Sequence, residues 1–181
     1  LFMRLTREET DLYLKDRSAK GFNVIQAVAM GGPHDGLKAP NRYGHLPVID
    51  GDVTRPNPKY FEHVDWVVAR AAQYGIRIAM LPVWAQRQVA WDKVFDTHTA
   101  RMYGRWIGER YRNQGIIWVL GGDTTPMWRR RRATSPDANT RAAGSTAVSI
   151  VDDRPIYDAM ATGLIEGDGK DPFITFHPTN L

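Results

Sequence analysis

Two periods of hydrophobic and polar positions alternate along the chain, and the switches between them mark its elements. Thr6-Arg7-Glu8-Glu9 has the spacing of a capping box, in which the hydroxyl takes the Glu9 amide and the carboxylate reaches back. It predicts a helix from about Arg7 to Lys20, with Leu12 and Leu14 on its apolar side and Gly21 as its stop. The short apolar run Phe22 to Val28 then predicts a buried strand. Asn57 can cap a second helix with Pro58 at its first position. Phe61, Val64, Val67, Val68 and Ala71 follow at spacings of three and four, and Gly75 ends the pattern. Ile76 to Leu81 predicts the next strand, ended by Pro82. A third helix starts at Asp96 or Thr97 and carries Ala100, Tyr103, Ile107 and Tyr111 on one stripe. After Gly115, Ile116 to Leu120 predicts a third strand. Pro155 to Glu166 predicts a fourth helix, and Phe173 to Phe176 a fourth strand running into His177-Pro178.

The order is helix then strand, four times over. Such alternation implies an α/β fold with a parallel sheet and right-handed crossovers. Glycines sit at the helix-to-strand joints (Gly21, Gly75, Gly115), whereas the strand-to-helix links are long. That asymmetry is the mark of a (β/α)8 TIM-barrel type, whose long loops after the strands build the site. A complete barrel takes about 250 residues, so the chain is expected to supply about half of one. Met30 to Asn57 reads as one long loop. Thr124 to Asp153 lacks periodicity and is expected to be an Arg-rich loop or insertion within a single partial barrel domain, 1–181.

Composition adds exclusions. Of 181 residues, 43% are hydrophobic and 24% charged, which excludes a disordered or fibrous chain. No apolar stretch approaches the roughly 18 residues of a membrane span. Cysteine is absent, so disulfides, thiolate metal sites and a Cys nucleophile are excluded. The net charge of +4 is local: Met127 to Arg154 holds six Arg and three Asp, a surplus of three. The run Arg129 to Arg132 could bind phosphate, but no general basic face exists and no nucleic-acid partner is expected. The chain begins at Leu1 and shows no signal peptide, so it reads as a fragment.

In this architecture chemistry belongs at strand carboxyl ends. Asp123 follows an apolar strand and two glycines, which turn the backbone and leave room for a ligand. A carboxyl at the mouth of an apolar barrel is poorly hydrated and keeps its proton more readily, which suits proton donation; Gly-Gly-Asp-Thr is equally good turn chemistry. Trp84 and Trp91 lie on a polar loop, where aromatic faces stack on sugars or close the barrel top. Gln26, read as projecting from the end of the first strand, needs a buried partner or a ligand. His177 lines the pocket or is a structural histidine. His34, Asp35 and His45 match no established metal spacing, and no cofactor motif occurs.

Several strings in order carry a family likeness: Leu5 to Glu9 with Tyr13-Leu14; Gly21 to Gln26; Asn41-Arg42-Tyr43-Gly44; Tyr60 to Asp65; Gly104 to Gly108; and Ile117 to Asp123. With Ile156 to Pro178 they resemble the apiosidase-like glycoside hydrolases (DUF4038, family 140). The resemblance implies a barrel of which strands two to five are present, and cleavage of glycosidic bonds with retention by two carboxylates. It places the acid/base at Asp123 and a nucleophilic Glu outside this chain. It makes Gln26, Asn41, Tyr43, Trp84 and His177 candidate contacts to a carbohydrate substrate. It also suggests a bacterial, secreted or periplasmic setting. The rival reading is a carbohydrate-binding half-barrel whose open edges a second copy or another chain covers.

Overall fold

Thr6 Oγ1 accepts the Glu9 amide at 3.2 Å and the Thr6 amide donates to Glu9 Oε2 at 2.8 Å, so the capping box forms and opens α1 (Arg7–Ala19). Asn57 Oδ1 accepts the Lys59 amide at 3.1 Å and Pro58 starts α2 (Pro58–Gln73). Asp96 caps α3 (Thr97–Arg110) through the Thr99 amide at 2.7 Å. The fourth helix, α4 (Arg154–Asp168), ends at Gly169 in left-handed conformation. The computed structural model describes residues 1–32, 36–133 and 146–179. No helix among them is long and apolar enough to cross a membrane.

The strands are β1 (Val24–Met30), β2 (Val48–Ile49), β3 (Asp52–Pro56), β4 (Arg77–Val83), β5 (Ile117–Gly121), β6 (Met127–Ala133), β7 (Thr146–Asp152) and β8 (Ile174–His177). Four of them form one parallel sheet in the order β1-β4-β5-β8. Alternation sorts its side chains. Ile25, Ala27, Ala29, Ile78, Met80, Trp118 and Leu120 join the helices in the main core. Ala79, Leu81 and Val119 form a small separate cluster on the other face, with Val28, Trp84 and Ile117 against it. The architecture is thus mixed α/β, with a four-stranded parallel sheet and helices on one face. Among the described residues the sheet does not close into a barrel.

Two segments differ from the sequence expectation. Met30 to Asn57 contains a hairpin, β2–β3, turned by Asp50 (φ 54°) and Gly51 (φ 76°). Positive φ at both central residues is the geometry that Asp-Gly favours in two-residue turns. The Arg-rich segment is also a hairpin, with β6 and β7 paired antiparallel from Met127↔Asp152 to Ala133↔Thr146. Backbone pairing needs no hydrophobic alternation, which is why the side-chain pattern concealed it. The side chains of Arg130, Arg131 and Arg132 lie outside the described residues.

Helices α3 and α4 meet backbone to backbone. A Cβ at Gly104 would stand 2.5 Å from the Met160 carbonyl oxygen, and one at Gly108 2.7 Å from that of Leu164. Cβ atoms at Gly163 and Gly167 would collide with the carbonyl oxygens of Arg101 and Arg105. The spacing of four on both helices lets the two stripes interlock.

His63 is buried on α2, edge-on to Tyr43 (5.1 Å) and stacked on Trp66 (6.4 Å). Burial first, and the Arg7 guanidinium second, lower its pKa, with the Leu5 carbonyl opposing them. The unfolded chain therefore takes up a proton near pH 6.5 that the folded chain refuses. Stability should fall as pH drops below 6.5, by at most about 1.4 kcal/mol per pH unit. Urea midpoints of His63→Gln between pH 7 and roughly 5 should lack this slope. A slope equal to the wild type's would assign the effect to another group.

Candidate active site

The carboxyl ends of β5 and β8 lie side by side, with Gly121 in register with His177. From there the backbone takes three successive left-handed steps, Gly121 (φ 91°), Gly122 (φ 118°) and Asp123 (φ 48°). Only glycine fits the first two. A Cβ at Gly121 would be 2.5 Å from the His177 carbonyl oxygen, and one at Gly122 would be 3.0 Å from the Trp84 ring. The glycines therefore let the chain leave β5 between β8 and the Trp84 indole.

Asp123 is among the few residues that tolerate left-handed backbone singly, and it is held there from two sides. Its amide donates to His177 Nδ1 at 3.3 Å, and its carbonyl accepts Gln86 Nε2 at 2.9 Å. The Gln86 amide adds a bond to the Gly122 carbonyl at 3.2 Å. Because Nδ1 is the acceptor, neutral His177 carries its proton on Nε2, which leaves a donor for a ligand. Asp123 Oδ1 lies 3.8 Å from Nδ1. The Asp123 side chain is 55% exposed and that of His177 30%. The expected poorly hydrated carboxyl is not seen: the open sheet surrounds Asp123 on one side only. Trp84 packs on the small apolar cluster and tilts at 50° to the His177 ring, 5.6 Å away.

Asp123, Trp84 and His177 thus come together, and Gln86 joins them. The sequence reading missed Gln86, although an amide three residues past Val83 in a strand-end loop was a usable signal.

Gln26 is placed differently. It is the third of seven residues of β1, in register with Ala79, because the strand runs on until Met30 pairs with Val83. It shares the small cluster's face with Val28, below the strand ends and exposed. Asn41 is buried, and its Oδ1 accepts the amides of Tyr43 (3.0 Å) and His45 (3.1 Å). Tyr43 Oη accepts the Arg7 amide at 2.9 Å, where α1 begins. Asn41 thus folds the loop after β1 on itself, Tyr43 ties that loop to α1, and no hydrogen bond among the described residues joins either to the Asp123 group. His34, Asp35 and the Trp91 side chain lie outside the described residues. Among the described residues, no three His, Asp or Glu groups gather as metal ligands.

A parallel sheet with helices on one face, and polar and aromatic groups at its strand carboxyl ends, defines a partial TIM-barrel-like fold of the glycoside hydrolase class. One solved glycoside hydrolase matches with a TM-score of 0.74 at 26% identity, over 99% of this chain and 35% of its own. A glycoside hydrolase family 5 structure from Bacteroides vulgatus ATCC 8482 matches with a TM-score of 0.73, also at 26% identity, over 98% of this chain and 33% of its own. A second structure from that organism shares the fold at 14% identity, with a TM-score of 0.59 over 98% of this chain and 33% of its own. The chain therefore spans about a third of the length of these structures. No curated protein matches it. The model of the apiosidase-like catalytic domain covers residues 1–181, and the chain belongs to that family.

Proposed function

We propose that the protein carrying this chain is a retaining glycosidase acting on plant-type or microbial polysaccharide, with Asp123 as general acid/base. The observation that carries the reading is the left-handed Asp123, pinned by His177 and Gln86 at the carboxyl end of the sheet. Left-handed backbone is open to Asp, and here the two partners fix the segment that carries the carboxyl at the sheet's carboxyl end. Asp123 gives its proton to the departing glycosidic oxygen and then takes one from the incoming water. A glutamate outside these residues attacks the anomeric carbon. Trp84 offers an apolar face to a sugar ring, and His177 Nε2 and Gln86 offer polar contacts. Gln26 reaches only a group lying deeper on the face of the small apolar cluster, while Asn41 and Tyr43 shape the neighbouring loop.

The exposure of Asp123 and the open sheet favour one rival, a half-barrel that binds carbohydrate without cleaving it. Proton NMR of the first-formed sugar tests both readings. Product with the substrate's anomeric configuration is expected. Inverted product would overturn the retaining mechanism, and saturable binding without turnover would favour the rival.

A further inference from the structure

We propose that Asp153 is a positioning residue for Asp123, a role that rests on the reading of Asp123 as acid/base. Asp153 precedes α4, and its side chain is only 5% exposed. A buried carboxylate needs counter-charge and donors, and it finds them on the loop after β4 and at the start of β6. Oδ1 accepts Lys93 Nζ at 2.9 Å, from the loop after β4. Oδ2 accepts Trp128 Nε1 at 2.9 Å, from the chain leaving Asp123. The Asp153 amide donates to the Pro126 carbonyl at 2.8 Å, three residues past Asp123. Its carbonyl accepts the amides of Ile156 (3.0 Å) and Tyr157 (3.3 Å), which open α4.

The loop after β4 and the exit from β5 are therefore joined twice. The first rung is Gln86 to the Asp123 carbonyl. The second is Lys93 to Trp128 through Asp153, with the Lys93 ammonium also 5.5 Å from the centre of the Trp128 ring. Lys93 itself sits at φ 52°, a left-handed backbone that lysine rarely adopts, and Asp153 holds its side chain. Rotation of either loop would strand a buried charge, so the second rung resists the motion that would carry the Asp123 carboxyl out of line. No part of this clamp need touch the sugar.

The test uses the whole protein and a series of glycosides whose leaving groups differ in basicity. Misplacing a proton donor penalises basic leaving groups most, whereas a merely unstable protein loses the same factor on all of them. Asp153→Asn should lower kcat/KM, which reads the bond-breaking step alone, by about 10²-fold on the most basic leaving group and much less on activated aryl glycosides. Trp128→Phe removes one donor and keeps the ring, so it should show the same graded pattern at smaller size. Lys93→Met should match Asp153→Asn without adding to it in the double variant, and Lys93→Arg should retain most activity. A uniform loss across the series, or no loss, overturns the role. Full activity of Asp123→Asn would overturn the reading of Asp123 and this role with it. A crippled Asp123→Asn beside an unimpaired Asp153→Asn overturns the positioning role alone.

Discussion

Asp123→Asn should lower turnover of glycosides with basic leaving groups by about 10²- to 10⁴-fold, the range a positioned general acid supplies. An alkoxide leaves poorly without a proton, whereas an activated phenolate needs little help, so activated aryl glycosides should lose far less at the bond-breaking step. Asparagine suits the test for a backbone reason. Position 123 has φ 48°, and Asn shares with Asp the ability to occupy that region singly. The amide keeps the bonds from Gln86 to the carbonyl and from the main-chain N–H to His177. What is removed is the carboxyl that gives a proton to the leaving oxygen and later takes one from water. Kinetics across the leaving-group series read the effect, and wild-type rates throughout would place the proton donor elsewhere.

Gly163→Ala should destabilise the chain by about 3 kcal/mol, at the upper end of ordinary overpacking, or about 6–12 °C in Tm. Helix propensity alone argues the other way, since Ala exceeds Gly by about 1 kcal/mol inside a helix. The two effects are opposed, so the sign of the change decides between them. The added methyl would strike the Arg101 carbonyl and lie 2.8 Å from the Arg105 amide nitrogen. Both are backbone atoms, and neither can turn aside as a flexible side chain would. Relief requires α3 and α4 to separate, which also opens the contacts of Gly104 and Gly108 with α4. Thermal unfolding followed by circular dichroism measures it. A Tm at or above wild type would mean that the helices are not in backbone contact.

Much of the fold was legible because local chemistry and tertiary packing agree. The Thr6–Glu9 box, the Asn57-Pro58 start and the Gly75 and Gly115 joints formed as the spacing implied. The β2–β3 turn is written in Asp50-Gly51, but the many other polar residues between Met30 and Asn57 mask it. Gln26 was misplaced because an apolar run shows that a strand exists but not where its ladder stops. Met30 belongs to β1 only through Val83 on another strand. The contact of Tyr43 with the start of α1 is illegible for a similar reason. The Tyr43 hydroxyl reaches an amide 36 positions away in sequence. Of the candidate site, Asp123, Trp84 and His177 are legible as residues at strand carboxyl ends. Gln86 and the Asp153 clamp depend on how two loops cross, which no single segment encodes.

The main sheet has the order β1-β4-β5-β8, so its spatial sequence follows the direction in which the chain is made. Every strand of this sheet after the first finds its neighbour already in place, with a crossover helix intervening and, before β4 and β8, a hairpin as well. Assembly on the ribosome can thus proceed as vectorial accretion, each newly emerged unit docking on the last. The hairpin that separates Asp123 from α4 delays one such step, the arrival of β8 and with it His177.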